Sequence, residues 1–249
     1  MCPWRFRPFS TGCSRRCWPG LSVRRYGEVQ ILWGVDLALE EGKLTTLVGS
    51  NGVGKTTLLR TIMGLLRPIQ GSVTFAGQDV TRLSPHARAN LGLVLVPEGR
   101  QLFTDMTVYE NLEMGAFSKR AHGSLKHNLD RVFELFPRLK ERQQQKAGTL
   151  SGGEQQMVAV ARGLMADPQI LILDELSLGL SPLLALNLFE SLLTLKKSGL
   201  TMLLVEQNVQ MALAVSDYGY VLAEGKVQLQ GEAQALLKNK DVQRTYLGL

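Results

Sequence analysis

The chain has 249 residues, 45% of them hydrophobic and 20% charged, enough for one substantial core or a core with a subdomain. It has no run of about 18 apolar residues, which excludes a membrane-spanning helix. No apolar stretch follows the basic start as a secretory signal requires, so a soluble cytoplasmic protein is expected, reaching a membrane only through a partner. Four of the six net positive charges fall in the first twenty residues, and the two left over give no argument for nucleic acid.

Residues 1–20, MCPWRFRPFSTGCSRRCWPG, carry all three cysteines (Cys2, Cys13, Cys17), two of the three tryptophans and no acid. The cysteine spacing fits no zinc pattern and no fourth ligand is near. The segment reads as a disordered tail or an upstream start that extends the true reading frame. Residues 21–50 read as antiparallel strands with a turn at Glu41-Gly42. LTTLV (44–48) then leads into GSNGVGKTT (49–57), which fits G-x-x-x-x-G-K-[ST], a loop that wraps phosphates in backbone N–H groups. Gly49, Gly52 and Gly54 free the turn from Cβ clashes. Lys55 is placed to reach the outer phosphates, and Thr56 offers a hydroxyl to Mg²⁺. TTLLRTIMGLL (56–66) reads as a helix whose N-terminus adds partial positive charge.

Strand SVTFAG (72–77), a helix near 84–91 and strand LGLVLVP (91–97) follow. From 104 to 150 the periodicity turns helical: Thr107-x-x-Glu110 caps one helix, and Leu129, Val132, Phe133, Leu135 and Phe136 mark the buried face of another. LSGGEQQ (150–156) holds a capping box, Ser151-x-x-Glu154, which opens a helix over 154–166. Ser151, Gly152 and Gly153 also leave helix N-terminal N–H groups open to an anion, and the two readings agree. ILILDE (170–175) is a buried strand delivering two acids. Asp174 is suited to Mg²⁺ and Glu175 to polarising an attacking water. Strands and helices then alternate to the end, which predicts a parallel sheet with crossover helices.

These motifs, in this order, resemble the ATP-binding subunit of an ABC transporter, over residues 21–249. LSGGEQQ matches that family's signature. VPEGR (96–100), LFTDMTVYENLEMG (102–115), ELFPRLKER (134–142), AGTLSGGEQQM (147–157), SLGLSP (177–182), LLVEQN (203–208) and TYLGL (245–249) resemble the smaller ATPase of bacterial branched-chain amino-acid uptake systems. The resemblance implies a P-loop α/β fold: a mainly parallel core sheet, an antiparallel β subdomain and a helical signature subdomain at about 104–165. It implies an ATP hydrolase using ATP and Mg²⁺. Tyr26 would stack on adenine. Residues Gly49, Ser50, Asn51, Gly52, Val53, Gly54, Lys55, Thr56 and Thr57 would hold the phosphates. Ser151, Gly152, Gly153 and Glu154 would close on the ATP of a second subunit.

Further positions follow from the same resemblance. Glu98 stands where most of the family has a glutamine that links Mg²⁺ or water to the permease, and the metal set implied is Thr56, Asp174 and Glu98. Gln207 stands at the switch histidine, so the catalytic set is Glu175, Gln207 and Lys55. Ser181 replaces a common aspartate and Leu176 a common proline. Expected partners are a second ABC ATPase subunit, in a homo- or heterodimer, two inner-membrane permease subunits and, indirectly, a periplasmic binding protein. The chain would lie on the cytoplasmic face of that membrane. Uptake of urea or a short-chain amide, a soluble non-transport ABC ATPase, and a module that holds ATP without turnover are the alternatives.

Overall fold

A computed structural model describes residues 21–24 and 30–247. The expectations for residues 1–20 and for Tyr26 lie outside the described residues. In chain order the elements are β1 (Leu21–Arg24), β2 (Gln30–Val35), β3 (Leu44–Val48), α1 (Lys55–Ile62), β4 (Thr74–Phe75), β5 (Gln78–Asp79), α2 (Pro85–Asn90), β6 (Leu93–Val96), α3 (Val108–Gly115), α4 (Lys119–His122), α5 (Leu125–Leu135), α6 (Pro137–Glu141), α7 (Gly152–Met165), β7 (Ile170–Asp174), α8 (Pro182–Lys197), β8 (Thr201–Glu206), α9 (Val209–Val215), β9 (Tyr218–Ala223), β10 (Lys226–Glu232), α10 (Ala233–Leu237) and α11 (Lys240–Val242). The chain forms two compact units. One runs up to Arg88 and resumes at Leu203; the other is Ala89–Met202.

In the first unit β3 is parallel to β9, β9 is antiparallel to β10, and β8 is the other neighbour of β3. All five residues of β3 are buried, the pattern of a strand covered on both faces. The turn at Glu41-Gly42 forms as expected, with Gly42 at φ 70°. The strands on either side of it do not pair, however. β2 pairs antiparallel with β1, while β3 joins the parallel set. A turn fixes chain reversal but not sheet membership, and the continuous burial of β3 suits a central position that β2, with Trp33 half exposed, does not. The strand expected at 72–77 is a two-residue ladder, Thr74 opposite Asp79, closed by Ala76 (φ 51°) and Gly77 (φ 77°). Two left-handed residues make the tight hairpin turn that cuts the strand short.

In the second unit β6 and β7 are parallel, Leu93 to Val96 facing Ile170 to Leu173. Helix α7 lies close on its neighbours because glycine supplies the room. A Cβ at Gly163 would come 2.6 Å from Val96 Cγ2, and one at Gly115 would come 2.3 Å from the Arg162 carbonyl. Both capping boxes form. Thr107 accepts from the Glu110 N–H at 3.1 Å, and Ser151 accepts from the Glu154 N–H at 3.4 Å. On α5, Leu129 and Val132 are buried, as is Phe136 just past its end, while Phe133 and Leu135 are half-buried. The apolar reading missed Asn128, also buried, which donates to the Met165 carbonyl at 3.3 Å. A cavity of about 520 Å³ lined by α5 and α8 contains none of the expected site residues. Among the described residues no helix is long and apolar enough to cross a membrane.

Candidate functional site

The loop after β3 is built by three glycines with different reasons. A Cβ at Gly49 would come 2.3 Å from the Leu222 carbonyl oxygen, so only glycine lets the loop leave β3 beside β9. Gly52 (φ 82°) and Gly54 (φ 110°) hold left-handed backbone. Lys55 is buried, and its ammonium donates to the carbonyls of Gly49 at 2.8 Å and Ser50 at 3.2 Å. The loop is thus wound round its own cation. Gly54 caps α1 without a side-chain hydrogen bond, and the first turn has no acid. That helix start presents N–H donors and positive dipole, with the Thr56 hydroxyl exposed beside them. Gln207 is also in this unit, exposed just past β8, and Asn208 after it caps α9 by accepting from the Met211 N–H at 3.1 Å.

The remaining expected residues belong to the second unit. Asp174, 5% exposed, ends β7. Glu175 follows with φ 47°, a left-handed backbone rare for a residue with a side chain. It lines a cavity of about 400 Å³ together with residues 99–102, Thr104, Gln155, Gln156 and Leu178. The stretch Gly99-Arg100-Gln101 is left-handed throughout, at φ 79°, 64° and 44°. Arg100 donates to the Gln155 side chain at 2.9 Å, and Arg162 donates to the Gln101 carbonyl at 2.7 Å. Glu98, exposed, opens this stretch. Glu175 and the loop after β6 therefore share one cavity wall with the signature helix α7. Reading VPEGR for Glu98 alone missed Arg100 and its glutamine partner; three successive left-handed residues leave no mark in the sequence beyond one glycine.

At the signature, the Ser151 hydroxyl donates to the Glu154 carboxylate at 2.7 Å, and Arg142 pairs with that carboxylate at 3.0 Å. Burial raises the pKa of Glu154, but the hydrogen bonds from Ser151 and the nearby Arg142 outweigh it, and the net shift is downward. Gly152 and Gly153 start α7 in crowded places: a Cβ there would lie 3.0 Å from Arg100 Nη2 and 2.9 Å from Leu184 Cδ1, respectively. Thr56, Asp174 and Glu98 offer hard oxygen atoms, the donor type magnesium takes. Among the described residues no three His, Cys, Asp or Glu side chains form a metal cage. An ion held through one or two carboxylates and a ligand's phosphates needs none.

The ABC transporter family profile matches residues 32–177, which include the glycine loop, the signature and the acid pair. The chain belongs to this family. As an ABC ATPase it binds ATP and hydrolyses it in a cycle coupled to transport. It is 44% identical to the high-affinity branched-chain amino acid transport ATP-binding protein BraG of Pseudomonas aeruginosa, over 90% of this chain and 95% of that one. It is 40% identical to a probable branched-chain amino acid transport ATP-binding protein, LivF, of Archaeoglobus fulgidus, over 90% and 95%. The lipopolysaccharide export ATP-binding protein LptB of Haemophilus influenzae is 30% identical over 91% and 94%. Among solved structures, the ADP conformation of the ATP-binding cassette MJ1267 superposes with a TM-score of 0.78 at 31% identity, covering 92% of this chain and 97% of that one. Two departures of this ABC ATPase from the wider family have local explanations. Ser181 caps α8, accepting from the Leu184 N–H at 3.4 Å, a task an aspartate also performs. Leu176 is fully buried, so apolar packing replaces the stiffness of a proline.

Proposed function

We propose that this chain is the ATPase subunit of an importer for branched-chain amino acids. The observation that carries the reading is the step in identity, 44% and 40% to two branched-chain transport ATPases against 30% to an export ATPase, at equal coverage. In this reading ATP binding turns the Lys55 ammonium from the Gly49 and Ser50 carbonyls to the outer phosphates, and the N–H groups at the start of α1 take the phosphate oxygens. A magnesium ion, when bound, neutralises charge on the phosphates, and Thr56, Asp174 and Glu98 are the oxygen donors suited to it. Glu175 orients and polarises the attacking water, and Gln207 donates a neutral hydrogen bond to the γ-phosphate. The partner subunit's Ser151, with the glycines after it, supplies further donors, so two ATPase subunits are needed for turnover. A permease subunit docks near Glu98 to Val108, on the cytoplasmic face of the membrane, and residues 1–20 take no part.

The test is reconstitution in lipid vesicles with a branched-chain permease pair, the second ATPase and the periplasmic binding protein. Leucine-loaded binding protein is expected to raise phosphate release several-fold and to bring labelled leucine to the permease's far side. No stimulation by leucine, isoleucine or valine, with stimulation by urea or a short amide through its own binding protein, would overturn the substrate. Assembly only with an exporter's membrane subunits would overturn the direction.

A further inference from the structure

Helix α1 has eight residues, and a helix this short is marginal without help from outside. Its first turn carries Lys55 and Thr56, so whatever fixes its far end also fixes them. The far end is held by one side chain from another helix. Arg88, on α2 and wholly buried, donates through Nη1 to the Thr61 carbonyl at 2.8 Å and to the Ile62 carbonyl, and through Nη2 to the Thr81 carbonyl at 2.9 Å. The Thr61 and Ile62 carbonyls belong to the last turn of α1, at the negative end of the helix dipole. The Thr61 carbonyl also accepts from the Gly64 N–H at 3.1 Å, and the Thr81 carbonyl, outside α1, anchors the other arm of the fork. Room for the guanidinium is made by Gly64, at φ 80°. A Cβ there would come 2.9 Å from both Arg88 Nε and the Leu83 carbonyl oxygen. The fork is costly to bury: Arg88 Nε is a buried nitrogen with no hydrogen-bond partner. An apolar residue would fill the space without that cost, so the arginine is placed there for what it grips.

We infer that Arg88 is a positioning residue for nucleotide binding. By clamping the C-terminal carbonyls of α1, it sets where Lys55 and Thr56 stand at the other end. A rigid helix transmits the placement, about 12 Å along its axis. The inference rests on the reading of residues 49–57 as the phosphate site and adds a residue outside every motif of the sequence.

The experiment uses the full chain. Wild type, Arg88→Met, Arg88→Lys and Gly64→Ala are compared by MgATP calorimetry at a temperature where circular dichroism shows each folded. Leu236→Ala serves as a control that removes buried apolar volume on α10, elsewhere in the same unit. Arg88→Met is expected to weaken MgATP binding about tenfold or more, the scale of a binding group displaced by a fraction of an ångström. Arg88→Lys should recover part of that, because an ammonium reaches one carbonyl where the fork reaches three. Gly64→Ala, which pushes on the fork, should fall between wild type and Arg88→Met. Leu236→Ala should lower the melting temperature and leave affinity within about twofold, since it lies apart from α1. Wild-type affinity in the Arg88 variants, with a melting temperature lowered as in the control, would overturn the inference and leave Arg88 a purely structural residue. If Arg88→Met does not fold, the lysine and Gly64→Ala variants decide by the same comparison. Failure of the wild type itself to bind MgATP would remove the phosphate-site reading, and the inference with it.

Discussion

Glu175 is held with φ 47° at the end of a buried strand, a backbone state that costs a side-chain-bearing residue of order 1–3 kcal/mol. Strain of that kind persists where it aims a group. Glu175→Gln should keep MgATP binding while phosphate release falls by roughly 10²-fold or more. Glu175→Gly should lose turnover as fully yet melt no lower than wild type, because glycine relieves the left-handed backbone. A lower melting temperature for the glycine variant would mean that Glu175 holds the fold rather than the water. Gln207 sets up a different test. Glutamine has no titrating proton, so a phosphate-release profile over pH 6–8 should gain an inflection near about 6.5 in Gln207→His. A flat profile for that variant would place residue 207 away from the γ-phosphate. At this scale the sequence is legible where a residue's reason is local. Gly52 and Gly54 announce left-handed turns by themselves. The reason for Gly49 is a carbonyl on β9, and for Arg88 the end of another helix, and neither partner is near in sequence. An arginine in PHARAN reads as an exposed helix charge; only the tertiary position of the α1 carbonyls turns it inward.

Elements were legible where a cap or a period marks them. Thr107-x-x-Glu110 and Ser151-x-x-Glu154 both form their reciprocal bonds. Ser151→Ala should therefore cost about 1 kcal/mol of stability, the usual worth of a helix cap, read as a lower melting temperature. The Glu154 carboxylate completes the same cap, and its pKa is lower folded than unfolded. Its contribution is accordingly present above the ordinary carboxylate value and lost as pH falls through the folded value. Wild type should lose more stability on acidification below about pH 4.5 than Glu154→Gln, in which nothing titrates there; parallel acid melts would contradict the assignment. Sheet membership was less legible than helix starts. Apolar runs on both sides of Glu41-Gly42 suggested one antiparallel pair, yet β2 and β3 went to different sheets. The pairing of β3 depends on β9, which no local pattern reveals. Asn128 and Asn111 were overlooked for a related reason. Each is buried by the backbone carbonyls it binds, Met165 for one and Phe103, Met106 and Thr107 for the other, and amides do not register in an apolar count.

On the scale of the whole molecule, the first unit is made of two chain segments separated by the second unit. The Leu44 N–H bonds the Asp217 carboxylate, 173 positions later, and β3 takes β8 and β9 as neighbours. This arrangement has a consequence for the birth of the protein. On the ribosome, at about 5–20 residues per second, β3 emerges roughly 8–35 s before the strands that flank it. For that interval a strand whose five residues are all buried in the finished fold has two bare edges, the condition in which chains pair with the wrong neighbour. The glycine loop springs from the same strand, so it has no fixed base until the end of synthesis. A chain cut after Ser216 holds all three motifs and is nonetheless expected to precipitate and to bind no MgATP. Recovery of soluble, ATP-binding protein from that truncation would contradict this. A trigger-factor-like holdase present during synthesis should raise the yield of the full chain more than one added afterwards, because the hazard belongs to the nascent polypeptide and ends when β9 arrives.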